Sequence, residues 1–191
     1  MPIIATRASA AYGAGFSRVV TAPFDALGSY DALATVNVTS SVSSVTFSAI
    51  PNDYKHLQIR GVSVGTFGNQ DVLMYFNGVN TSSNYTWHEL RGTGTSATSG
   101  NAINQAFMFI ASNSTDTQYP TSYLIDILDY SRTDKTKVVR TLSGKDLNGG
   151  GNASMFSGLA FTTNAVSSIT IYTPGAFPLT QYSRFSLYGV K

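Results

Sequence analysis

Two histidines and ten acidic residues are the side chains available for proton transfer or metal binding in this 191-residue chain, which has no cysteine. The densest constellation is "NYTWHEL", where His88 sits between Trp87 and Glu89, the only glutamate. Imidazole beside a carboxylate is a useful proton-transfer unit. The segment reads as a strand, however, in which adjacent side chains point to opposite faces, so His88 is expected to be a surface histidine beside a packed tryptophan. Asp126 and Asp129 suggest the paired carboxylates of a glycosidase. Their odd spacing again separates them, and Asp126 is expected to hydrogen-bond across a sheet or to face a subunit contact.

The stretch "SGKDLNGGGNAS", Ser143 to Ser154, has the glycines of a phosphate cradle or a calcium loop. It lacks the order of a nucleotide-binding loop, no helix follows, and Asp146 is its one carboxylate. A long hairpin turn is the expectation, with Asn and Gly supplying positive φ, and calcium the alternative. No serine sits in a nucleophile elbow. The chemistry-bearing residues therefore point to a protein that is not an enzyme, with no cofactor and no metal. Tyr85, Trp87, Tyr119 and Tyr130 remain as a sugar-stacking or subunit-contact patch, since ring faces suit both uses.

The elements that must position these residues are strands. Charged residues make up 12% of the chain, against roughly 25% in an ordinary soluble domain, while β-branched residues, 11 Tyr and 11 Phe are plentiful. A net charge of +2 with scattered Lys and Arg argues against nucleic acid as partner. The opening lacks the apolar core of a signal peptide, and no run approaches the ~20 residues of a membrane helix. Short apolar runs separated by Gly, Asn, Ser and Asp predict strands near 35–40, 44–49, 55–64, 71–77, 84–90, 104–111, 121–130, 137–144, 154–162, 167–173 and 182–190. That is an all-β antiparallel sandwich, jelly-roll-like, over 35–191.

Several details follow. Tyr123, Ile125 and Ile127 share one face of a strand, and Leu124, Asp126, Leu128 and Tyr130 the other. In "HLQIRGVSV" the apolar phase switches from Leu57 and Ile59 to Val62 and Val64 around Gly61, which predicts a bulge or kink there. "AFMFI", 106–110, is apolar on both faces and so central or covered on its outer side. The closing "FSLYGVK" is expected to pair with a strand near the start of the domain, since an apolar end of chain does not fray into water. Residues 1–34, rich in small residues and without a sustained period, read as an extended arm.

The opening "ATRASAAYGAGF" resembles the N-terminal segments of virion structural proteins from tailed bacteriophages. "IPNDYKHLQIRG", "LMYFNGVNTSSNYTWHELRGTG", "LIDILDYSRTDKTKVVRTLSG" and "YSRFSLYGVK" resemble a β-sandwich module of phage decoration, tail and fibre proteins. The resemblance implies a homotrimeric cement protein on the outer surface of the virion, assembled in the bacterial cytoplasm. Its arm would contact the major capsid protein through Ile3, Ile4, Arg7, Tyr12, Phe16, Arg18 and Phe24. The alternatives are a tail, baseplate or fibre protein that binds a host glycan or another tail protein, and a free carbohydrate-binding module.

Overall fold

A computed structural model describes residues 29–191. The arm positions Ile3, Ile4, Arg7, Tyr12, Phe16, Arg18 and Phe24 lie outside the described residues. The described chain contains twelve strands and no helix: β1 (Tyr30–Asn37), β2 (Ser44–Phe47), β3 (His56–Ser63), β4 (Asp71–Phe76), β5 (Tyr85–Gly92), β6 (Ala97–Gln105), β7 (Met108–Ser112), β8 (Thr121–Leu128), β9 (Lys137–Asp146), β10 (Gly151–Ala160), β11 (Ile169–Tyr172) and β12 (Arg184–Val190). They form an eight-stranded sheet, β1-β12-β3-β8-β9-β10-β5-β6, and a four-stranded sheet, β2-β11-β4-β7, all antiparallel.

Two layers of wiring are nested here. Strands β1, β2, β3, β4, β7, β8, β11 and β12 pass back and forth between the sheets, except that β4 and β7 stay in one, giving β1-β12-β3-β8 opposite β2-β11-β4-β7. That is the double-sheet jelly roll. Hairpins β5–β6 and β9–β10 then extend the larger sheet beyond β8. The main core lies between the layers, with Leu57, Ile59, Ile125, Ile127, Phe185 and Leu187 from one sheet meeting Val72, Met74, Ile110, Ile169 and Ile171 from the other.

The closing strand behaves as its pattern requires. β12 pairs with β1 on one side and β3 on the other, from Tyr30 opposite Val190 to Asn37 opposite Arg184. Since β1 begins at Tyr30, residues 30–34 are strand although the sequence groups them with the arm.

"AFMFI" is covered, although β7 is the edge of its own sheet rather than a central strand. Met108 and Ile110 enter the main core, while Phe109 joins a second cluster with Leu73 and Phe156, against which Trp87, Phe107 and Tyr172 pack. Phe109 stands edge-on to Phe156 at 5.0 Å and to Trp87 at 5.3 Å between ring centroids. The added hairpins thus curl around β7 and shield an edge that would otherwise present unpaired backbone. Gly158 makes the curl possible, because a Cβ there would lie 2.8 Å from the Met108 sulfur.

The bulge expected at Gly61 is absent. Register runs unbroken through Gly61 opposite Phe185 and Tyr123. The inward face continues as Leu57, Ile59, Gly61 and Ser63, and Val62 points outward at 37% exposure. Ser63 is buried because its hydroxyl bonds to Asn113 and Tyr123, so a polar residue occupies the inward position. Gly61 is there for space, since a Cβ would fall 2.6 Å from the ring of Phe185, which is fully buried. We expect Gly61→Ala to destabilise the fold by about 1–3 kcal/mol, the range of core overpacking. Urea unfolding would measure it, and an unchanged midpoint would contradict this packing.

Candidate functional site

The acid–base pairs suggested by the sequence, His88 with Glu89 and Asp126 with Asp129, are held apart, whereas His56 Nδ1 lies 3.6 Å from Asp129 Oδ1. His88 is exposed on the outer face of β5, while Glu89 points inward. Glu89 Oε1 accepts from Arg91 Nε at 2.7 Å and from Ser154 Oγ at 3.2 Å, and Arg91 Nη2 reaches Ser112 Oγ at 3.3 Å. Asp71 is close enough to feel both charges. Burial raises its carboxyl above the usual range, against the pull of Arg91 and with a push from Glu89. Lys145, beside this group, is buried and donates to Asn69 Oδ1 and to the Asn113 carbonyl, each at 2.8 Å. Burial, then the nearby Arg91, lowers its ammonium below the ordinary lysine value. Glu89 and Arg91 are paired, Lys145 is hydrogen-bonded, and Asp71 lies within the field of the pair; together they plug one end of the sandwich.

Asp126 and Asp129 are also separate. Asp126 accepts from Gln58 Nε2 at 2.8 Å across the β3–β8 ladder. Asp129 lies in the turn after β8, paired with Lys135 at 2.6 Å, and its backbone N–H donates to His56 Nδ1 at 2.9 Å. Lys135 is the main reason its carboxyl sits below the usual range. Residues 143–154 form the β9–β10 hairpin, in which Asp146 Oδ1 accepts from the Asn148 N–H at 2.9 Å. Gly151, at φ 122°, is obligatory there, since a Cβ would collide with the Lys145 carbonyl. Among the described residues no three His, Asp or Glu side chains converge on a metal-sized space.

The four aromatic candidates do not share a surface. Tyr85 and Tyr130 are core residues: the Tyr85 hydroxyl donates to the Val79 carbonyl at 2.8 Å, and the Tyr130 hydroxyl donates to the Pro51 carbonyl. Burial raises both phenols above their ordinary range. Trp87 faces inward against Phe109, and its indole N–H has no partner. Tyr119 borders a groove, an open depression of about 950 Å³ at the charged end of the sandwich, while Tyr85 lines a separate, smaller pocket of about 230 Å³. The groove floor is a transverse row of small residues on the outer face of the large sheet: Ser122, Gly144, Ala153 and Gly92, each opposite the next. Tyr119, Thr93 and the 149–151 turn border it.

The feature the sequence reading missed lies beside that floor. Leu124, Leu142, Met155 and Leu90 form the next outward row, again directly opposed across β8, β9, β10 and β5. Their exposures are 36, 57, 53 and 56%. A polar row follows, Asp126, Arg140, Ser157 and His88, and then Leu128, Val138, Leu159 and Thr86. The signal was present in the alternation of Leu124, Asp126 and Leu128, but it emerges only once register aligns four separate segments. No family model matches the chain, and no curated protein sequence is measurably similar to it.

The plug at the end of the sandwich makes a test. Removing Arg91 takes the main partner from the inward-facing Glu89 and a favourable cation from Asp71. Arg91→Leu is therefore expected to cost about 1–3 kcal/mol, since the pair is partly buried and Glu89 keeps Ser154, and the double change Arg91→Leu with Glu89→Leu should recover most of it. Equal stability of the single variant and the parent in urea would show that the pair carries nothing.

Proposed function

We propose that the protein is a non-enzymatic structural component of a tailed-phage particle, acting as a capsid decoration or cement protein. The observation that carries this reading is the way the chain enters the sandwich. Residues ahead of Tyr30 lead directly into β1, whose first residues are tied to the end of β12 by the Tyr30–Val190 pairing and by an ion pair between Asp31 and Lys191 at 2.9 Å. A pull on that segment is taken up along a ladder seven residue pairs long, so many backbone hydrogen bonds share the load. Such an attachment suits an arm clamped across neighbouring subunits of the major capsid protein, with the jelly roll displayed outside.

The likeness of the opening segment and of the β-sandwich motifs to phage virion proteins supports the same reading. Ile3, Ile4, Tyr12, Phe16 and Phe24 supply apolar contacts in this scheme, and Arg7 and Arg18 polar ones. Several arms presented together would raise the grip through effective concentration. The full chain is expected to bind purified capsids at least ~100-fold more tightly than a chain beginning at Ser29, given the usual gain from multivalent attachment. Equal binding by the two would refute the clamp.

A tail, baseplate or fibre position is favoured by one feature, the groove bordered by Tyr119. Its glycine-rich floor leaves room and backbone groups for a host-surface glycan, with the tyrosine ring at its margin. If that reading holds, Tyr119→Ala abolishes binding on a glycan array and leaves the melting temperature unchanged. Separating heads from tails and measuring copy number in each distinguishes the two positions.

A further inference from the structure

The geometry points to the outer face of the large sheet as a self-complementary interface, on which a second copy of this chain packs about a two-fold axis running close to the strands between β9 and β10. This inference stands apart from the location in a particle. The apolar row of Leu124, Leu142, Met155 and Leu90 has no cover among the described residues. It lies on the added hairpins and the adjoining β8. Farther along the same face, on β1, β12 and β3, the apolar row does not continue: Arg60, opposite Leu124, is stacked 5.2 Å from the rings of both Tyr30 and Tyr188, and Val62 stands as a single exposed apolar side chain. Contiguous exposed apolar surface of this kind marks an interaction site.

The register identifies the occupant. Rotation about the proposed axis keeps every row on its own row and exchanges strands symmetrically about the β9–β10 boundary. Leu124 then meets Leu90 of the second copy, and Leu142 meets Met155. In the polar row Asp126 faces His88 of the second copy, and Arg140, which has no hydrogen-bond or ion-pair partner among the described residues, faces Ser157. The small row also meets itself, Gly144 against Ala153. Every row is matched in polarity and size, as an isologous contact requires. The other in-plane axis, lying along the polar row, would set Asp126 on Asp126 and Arg140 on Arg140, and like charges in contact are costly.

Sheets packing face to face with strands nearly aligned is a standard arrangement, so no rearrangement of the sandwich is needed. The area is also sufficient for a reversible contact. Four strands at about 4.8 Å and four rows at about 6.7 Å give a footprint of roughly 500 Å² per partner, the size of a weak, reversible association rather than an obligate one.

Sedimentation equilibrium of the full chain between about 1 μM and about 1 mM, a range that brackets weak and moderate affinities, tests this. A monomer–dimer equilibrium is expected. Leu142→Lys should raise the dissociation constant at least ~10-fold, because it places a charge in the apolar row. His88→Asp should weaken the dimer by setting two carboxylates face to face, and adding Asp126→Lys should restore it; circular dichroism confirms that each variant is folded. A monomer throughout the range, a trimer, a dimer indifferent to Leu142→Lys, or a charge swap that fails to restore association each overturns the proposal.

Discussion

β12 lies between β1 and β3, and the larger sheet depends on that insertion more than on any other pairing. Phe185 and Leu187 enter the main core from β12, while its backbone joins the strand nearest the arm to the strand that leads on to β8. These pairings link residues more than a hundred positions apart, so they carry the largest loop-closure cost in the fold. Gly61 belongs to the same arrangement. Its missing side chain is the space in which Phe185 lies, and Phe185 in turn stacks on Tyr123 at 5.8 Å between centroids.

The two added hairpins depend on this scaffold and give it its functional surfaces. On their inner side they curl over β7, where Phe109, Phe156 and Trp87 form a small core of their own. Beyond it the Glu89–Arg91 pair, Asp71 and Lys145 close the end of the sandwich, the lysine held by Asn69 and the Asn113 carbonyl rather than by a carboxylate. On their outer side the same strands carry apolar and polar residues in transverse rows. Strand alternation requires the two faces to be designed separately. Here both faces are partly apolar, which an isolated sandwich exposed to water does not need.

That double use explains what the sequence did and did not reveal. The alternation of Tyr123, Ile125 and Ile127 was legible because one simple period places all three in the core. The closing strand was legible because an apolar end of chain needs partners. The phase of β3 was misread at Val62, since hydrophobicity alone cannot foresee a buried serine satisfied by Asn113 and Tyr123. β6 escaped notice because Ala97–Gln105 holds one large apolar side chain, Ile103, and that one is exposed on an edge strand. Tyr85 and Tyr130 were candidates for a surface platform only until the partners of their hydroxyls, the Val79 and Pro51 carbonyls, were in view. Local spacing did correctly separate His88 from Glu89, because that conclusion needs only the geometry of a strand; Asp126 and Asp129 are also apart, but because β8 ends at Leu128 and Asp129 lies in the turn.

Native-state hydrogen exchange on β12 shows whether this strand opens only with the whole fold, since it reports the free energy at which each strand opens. If β12 holds the large sheet together, the amides of Phe185 and Leu187 exchange only through global unfolding, with the same free energy as those of Ile125 and Ile127 in β8. If the β12 amides open at a clearly lower free energy while β8 stays protected, the strand is a late addition and the account is wrong.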